Sequence, residues 1–133
     1  MTPVRDHVLE IFIEETEERL NNIEAGLLEL EKCGDHCDPD LVNSVFRDAH
    51  SVKAGCNLLK LHTIEDLAHK LENVLELIRR DKLAPTELVI TASLEAVDKL
   101  RELVEDVENS DGVSIRLHTA MLDNAIQMGG ASV

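Results

Sequence analysis

His50 stands in the stretch FRDAHSVKAG, residues 46–55, with Ser51, Lys53 and Gly55 one, three and five positions after it. A second pair, His69 and Glu72, follows in IEDLAHKLENVLELIRR, residues 64–80. A carboxylate that accepts a hydrogen bond from a histidine Nδ1–H fixes the tautomer. The Nε2 lone pair is then free as a nucleophile, and the positive charge that grows on the attacking ring is stabilised. Glu72 is the expected carboxylate. Lys53 lies one helical turn after His50, within reach of an anion attached to the ring. Gly55 costs roughly 1 kcal/mol against Ala inside a helix, so its presence predicts a steric reason, such as the close approach of another protein's backbone.

A competing constellation is Cys33-x-x-His36-Cys37, with Asp35 and Asp38 beside it. It offers thiolate, imidazole and carboxylate ligands, but no second CxxC or distant His pair completes a tetrahedral set. A polar turn explains Gly34, Asp35 and Asp38 without a metal, and no metal site is expected. Three cysteines, Cys33, Cys37 and Cys56, cannot all pair within one chain; free thiols in a reducing compartment are the expectation. The chain lacks GxxxxGK[ST] and any glycine-rich nucleotide lid, so it is not expected to bind ATP itself.

The elements that must position His50 read as helices. Val8, Phe12, Leu20, Ile23, Leu27 and Leu30 recur at helical intervals between Val4 and Glu31, with Thr2-Pro3 as cap and first turn. Asp38-Pro39 starts a second helix, because Asp caps free amides and Pro needs no donor in the first turn. Its apolar stripe is Leu41, Val42, Val45, Ala49, Val52, Cys56 and Leu59. His50 falls roughly 120° from the centre of that stripe at ~100° per residue, and so off the core.

A third helix from about Thr63 buries Ile64, Leu67, Ala68, Leu71, Leu75 and Ile78 and ends at Arg79-Arg80. Glu65, His69, Glu72 and Glu76 share the flank that can face His50 if the two helices run antiparallel. A fourth helix from about Pro85 carries Val89, Ala96, Leu100, Leu103 and Val107, and stops at ENSDG. A shorter fifth, Ser114 to Met128, carries Ile115, Leu122 and Ile126, ends at Gly129-Gly130, and leaves a frayed Ala131-Ser132-Val133. Short links favour antiparallel neighbours. The expected fold is all-α: an antiparallel up-down-up-down four-helix bundle, about residues 4–109, with an additional C-terminal helix, about 114–128.

The 133 residues suit one domain, 1–133. No Trp or Tyr and only Phe12 and Phe46 are present, which leaves no platform for stacking bases. A formal charge of −14 opposes phosphate backbones and anionic lipid. No apolar run approaches the ~18–20 residues that span a bilayer, and the N-terminus is polar where a signal peptide is apolar. Neither nucleic acid nor membrane insertion is expected, and the expected location is cytoplasmic.

AHSVKAG followed by IEDLAHKLENVLELIRR resembles the histidine-containing phosphotransfer domain of CheA-type chemotaxis sensor kinases, from about Ile11 to Leu122. The family pattern is a phosphorylated His, then Ser, an aliphatic residue and Lys, and later His-x-x-Glu. It falls here on His50, Ser51, Val52, Lys53, His69 and Glu72. The resemblance implies that His50 takes the γ-phosphoryl of ATP from a separate kinase catalytic domain and passes it to an aspartate on a response regulator receiver domain. ATP and Mg²⁺ then act at partner domains, and this domain binds no cofactor. Lys53 would screen the phosphoryl oxygens, Glu72 would orient the ring, and His69 would join the network or shift the local potential. Arg47, Ser51, Ala54, Gly55 and Asn57 are the expected partner-facing residues.

The chain departs from the family where a run of small residues like GGAG usually stands, having Ala54-Gly55-Cys56-Asn57. It also has Lys60 in a stretch where the family often has Gly between aromatic residues. The alternative to phosphotransfer is a non-catalytic helical adaptor that binds partners through its bundle faces.

Overall fold

The structure, a computed structural model, describes the backbone of residues 3–130 and the side chains of 7–34 and 36–129. Thr2 and Ala131-Ser132-Val133, for which a cap and a frayed end were expected, lie outside the described residues. Five α-helices follow in order: α1 (Pro3–Cys33), α2 (Pro39–Leu59), α3 (His62–Arg79), α4 (Glu87–Glu105) and α5 (Arg116–Gly130). Short 3₁₀ turns at Gly34–His36 and Val107–Gly112 join α1 to α2 and α4 to α5, and the described residues contain no strand.

Asp38 caps α2 as its side chain accepts from the Asp40 amide at 2.9 Å, with Pro39 in the first turn. Thr86 caps α4 in the same way through Val89 N–H, so that helix starts two residues later than Pro85. α1 packs on α2 and α4, α2 on α3, and α3 on α4, which closes the four-helix ring. α5 lies against α4 and α3, burying Leu122 and Ala125. The bundle with one added helix is therefore the observed architecture. Its core joins Leu20, Ile23, Leu27 and Leu30 of α1 to the buried stripes of α2, α3 and α4.

Val8, expected on the buried stripe of α1, is instead 42% exposed. α1 has 31 residues against 21 in α2, and at about 1.5 Å per residue it outruns its neighbour by some three turns. Phe12 lies opposite Gly55, close to the end of α2, so a residue one turn before Phe12 has little left to pack on. ENSDG, expected as a plain stop, is wound into the second 3₁₀ turn, where buried Ser110 donates to the Val107 carbonyl at 2.7 Å. Ile115 precedes α5, and its carbonyl accepts the Thr119 amide at 2.9 Å.

α2 and α3 are joined by a tight link whose geometry fixes their antiparallel pairing. Leu61 N–H bonds to the Cys56 carbonyl (2.9 Å) and Lys60 N–H to that of Asn57 (3.2 Å), the paired bonds of a Schellman ending. Lys60 takes the left-handed conformation at φ 59°, and buried Leu61 turns the chain back onto the core. α3 ends the same way, with Asp81 at φ 58° and bonds from Lys82 to Leu77 and from Asp81 to Ile78.

Candidate functional site

The Schellman turn lays one row of α2 against one row of α3. Phe46, His50, Lys53 and Asn57 are spaced four, three and four residues apart, as are Glu65, His69, Glu72 and Glu76 on α3; that spacing keeps each set on a single helical flank. Asn57 Nδ2 donates to Glu65 Oε2 at 2.6 Å, next to the turn. Further along, Lys53 Nζ reaches Glu72 Oε1 at 2.7 Å, and His50 Nδ1 lies 2.5 Å from Glu72 Oε2.

Glu72 is the pivot of the site. It is 6% exposed, although Glu is seldom buried unless paired. Burial pushes its carboxyl upward, but the hydrogen bonds and positive charge of Lys53 and His50 outweigh that effect and hold it below the usual glutamate range. An ionised carboxylate only accepts hydrogen bonds, so the proton between it and the ring sits on His50 Nδ1. The neutral ring then carries its lone pair on Nε2. The His50 side chain is 57% exposed, so a ring with a fixed tautomer stands open to solvent.

Two further groups complete the surroundings. The Phe46 ring stacks near His50, with centroids 6.2 Å apart and planes at 20°, and the Arg79 guanidinium covers Phe46 at 4.4 Å. Neither was singled out for this site from the sequence. Phe46 stood there as one of two aromatic residues and Arg79 as a helix-end charge. The available signal was the four-residue step from Phe46 to His50.

The other expected site residues are placed less uniformly. His69 is exposed and makes no hydrogen bond or ion pair among the described residues; it stands outside the His50–Glu72–Lys53 network. The Lys53 ammonium is engaged with Glu72 instead of standing alone, which leaves its other two N–H donors for an anion. Arg47, Ala54 and Asn57 are exposed, and Ser51 is half-buried. At Gly55 an added Cβ would stand 3.2 Å from Phe12 Cε1 and 3.4 Å from Cδ1, so its close neighbour within the chain is α1.

The cysteines correct the expectation of three free thiols. Cys33 and Cys37 form a disulfide across the turn between α1 and α2, their Cα atoms 4.9 Å apart. The four-residue step through the 3₁₀ turn brings both Cβ atoms to the same side, within the ordinary span for such a bond. Both sulfurs of the competing metal constellation are thereby joined to each other. Cys56 is free and buried; burial, with Glu65 adding to it, pushes its thiol up to about 12. It therefore behaves as a small apolar residue. Among the described residues no helix is long and apolar enough to cross a membrane.

Residues 7–110 match the model of the Hpt domain family. The chain is 37% identical over 108 residues to the chemotaxis protein CheA of Rhizobium meliloti, covering 81% of this chain and 14% of that protein. It is 34% identical over 103 residues to the protein of that name from Listeria monocytogenes, covering 77% and 16%. The chain thus spans only a small part of the length of these relatives. Among solved structures, the phosphorylated P1 domain of CheA3 in complex with CheY6 from R. sphaeroides superposes with a TM-score of 0.81 at 23% identity, covering 93% of this chain and 98% of that one. The histidine phosphotransfer domain of CheA, solved in solution, gives 0.77 at 28% identity, covering 89% and 90%. A family match that runs from the start of α1 through the whole four-helix ring, over the same fold, means that the chain belongs to the Hpt domain family.

Proposed function

We propose that His50 is the phosphoacceptor of a chemotaxis-type two-component system. It receives the γ-phosphoryl group of ATP held by a separate kinase catalytic domain, and delivers it to an aspartate of a response regulator receiver domain. The observation that carries this reading is the pairing of His50 Nδ1 with the buried, ionised Glu72 while the ring itself stays exposed. The similarity to proteins named CheA supports it, as does the similarity to a phosphorylated domain bound to CheY6.

In the forward step Nε2 attacks the γ-phosphorus, an N–P bond forms, and the bond to the β–γ bridging oxygen breaks, releasing ADP. The Nδ1 proton stays on the ring against Glu72, which stabilises the imidazolium character of the product. In the second step the receiver's carboxylate attacks phosphorus, the N–P bond breaks, and the electron pair returns to Nε2. ATP and Mg²⁺ act at the kinase domain in the first step, and Mg²⁺ at the receiver in the second. Lys53 uses its remaining donors on the phosphoryl oxygens, and His69, exposed on α3, adds a polar group at the edge of the docked interface. Arg47, Ser51, Ala54, Gly55 and Asn57 of α2 belong to the partner's side in this reading. Dependence on ATP points to the cytoplasm.

Incubation with a chemotaxis-type kinase core and labelled ATP tests the reading. Acid-labile, alkali-stable label should appear on the chain and disappear in His50→Gln at unchanged helicity. Label that persists in that variant would refute His50 as the phosphoacceptor, and a chain that binds its partners without ever taking label would leave a helical adaptor as the function.

A further inference from the structure

Glu72 holds the His50 ring by a single edge, through Nδ1. One hydrogen bond sets the tautomer, but with the Cβ–Cγ bond it restrains only one edge of the ring, which can still rock through χ1 and χ2 and carry Nε2 with it. In-line attack on phosphorus needs that direction to be fixed. A second contact, on the face of the ring, would supply what the first does not.

Phe46 lies one turn before His50. Side chains on a helix lean toward its N-terminus, so the imidazole reclines toward residue 46. The two rings are near-parallel, 20° apart in plane with centroids separated by 6.2 Å, in the offset range for aromatic pairs. Phe46 is itself held on both sides: it packs partly against the core, and the Arg79 guanidinium carbon sits 4.4 Å from its centroid. Arg79 is fixed in turn from α3. Its Nη2 donates to Glu76 Oε2 at 2.7 Å and Oε1 at 2.9 Å, and its Nε to Oε2 at 3.1 Å. The hydrogen bonds from Arg79, joined by those of Arg80, keep Glu76 ionised. The contacts therefore run from the last turn of α3 through Arg79 and Phe46 to the face of the His50 ring, parallel to the edge contact made by Glu72.

We propose that Phe46 and Arg79 are positioning residues for His50: Phe46 fixes the plane of the imidazole and Arg79 holds Phe46 in place. Burial alone does not account for Arg79, whose side chain is 40% exposed and has its charge satisfied by Glu76 without needing to lie over an aromatic ring. This role rests on His50 being the phosphoacceptor, so its test reads the imidazole before it reads the label.

The experiment combines ring ¹⁵N spectra of His50 in the full chain with rates of labelling by a kinase core and ATP, for Phe46→Leu, Phe46→Tyr and Arg79→Gln. Phe46→Leu and Arg79→Gln should broaden or average the His50 ring signals. They should also lower the maximal labelling rate by about tenfold, with a smaller change in the kinase concentration needed, as expected when orientation and not docking is lost. Phe46→Tyr should restore both. If Phe46→Leu unfolds the chain, Arg79→Gln decides alone, since it leaves the core untouched. Wild-type ring signals in Arg79→Gln would overturn the proposal, whether or not the rate falls. Label persisting in His50→Gln would remove the phosphoacceptor reading instead, while the ring spectra would still report whether Phe46 and Arg79 hold the imidazole.

Discussion

His50 and Glu72 meet across the α2–α3 groove with Nδ1 2.5 Å from Oε2, and the other Glu72 oxygen is taken by Lys53 at 2.7 Å. One buried carboxylate thus does two things. It fixes the tautomer of an exposed ring, and it anchors the cation that stands one turn further along α2. Without Lys53, an ionised Glu72 would be a buried charge held only by the imidazole. Without Glu72, Lys53 and His50 would be two separate surface residues.

Replacing Glu72 separates its roles in folding and in chemistry. Glu72→Gln keeps the shape but loses the charge, and its amide can still accept one hydrogen bond. Phosphorylation should slow by roughly 10- to 100-fold, since the nucleophile remains and its orientation and charge stabilisation are weakened. Stability should fall by only about 1–2 kcal/mol, because the amide still fills the site and can still accept from Lys53, while the ion pair itself is lost. Labelling kinetics beside urea denaturation would check this. A wild-type rate would show that Glu72 is structural.

Acid should act on the same residue. The folded chain holds the Glu72 carboxyl below its usual range, whereas the unfolded chain returns it to the ordinary value. At mildly acidic pH the unfolded state therefore binds more protons than the folded one, and stability falls as the pH drops. The contribution of Glu72 is fully present above the ordinary glutamate pKa of about 4.3 and is lost as the pH falls through the lower, folded value. Denaturation of wild type and Glu72→Gln between neutrality and pH 3 should show the two stabilities converging toward the acid end. Parallel curves would mean that the carboxylate is not held low.

Much of this was legible in the chain. The four-helix ring and the exposure of His50 follow from periodicity, because one helix face must be apolar and the residues off it are easily seen, and the Asp38-Pro39 start follows from capping chemistry. Glu72 was legible as a partner for His50, because His and Glu fall on facing flanks once α2 and α3 run antiparallel. Its burial was not, since a Glu on a polar flank looks like any solvated one until a lysine and a histidine close over it. The Cys33–Cys37 bridge and the contact of Gly55 with Phe12 were also out of reach. The first depends on the turn that Gly34–His36 takes and the second on where two helices lie in space, and spacing along the chain carries neither. Val8 failed for a related reason: the pattern of α1 is helical to its start, but the neighbour it would pack on has already ended.

Lys60 supplies a stability test at the link that sets the register. It sits at φ 59° at the end of α2, where any side chain meets a steric cost and glycine does not. Lys60→Gly should raise stability by about 0.5–1 kcal/mol, the relief of strain exceeding the greater freedom of glycine in the unfolded chain. Labelling of His50 should be unchanged, since Lys60 makes no contact with Glu72 or the ring. Thermal melts of both proteins would decide the point, and a lower melting temperature would mean that the lysine side chain contributes something the turn itself does not require.

Gly26 and Gly55 are both interior helix glycines facing another helix, yet they should respond oppositely to alanine. A Cβ at Gly26 would overlap Val45 Cγ2, a short β-branched side chain with little room to turn in the buried seam between α1 and α2. Gly26→Ala should therefore force the helices apart and cost about 1–3 kcal/mol, the usual range for overpacking a core. At Gly55 the contact is the edge of the half-buried Phe12 ring at 3.2 Å, near the end of α2, and a shift of a few tenths of an ångström relieves it. There the gain in helix propensity, about 1 kcal/mol, offsets the crowding, and Gly55→Ala should be close to neutral in stability. That neutrality makes Gly55→Ala a clean probe of the partner surface. If the variant keeps its stability and its labelling rate, the glycine serves α1 packing alone. If it keeps its stability but transfers phosphoryl more slowly to a receiver, the same small residue also makes room for the partner.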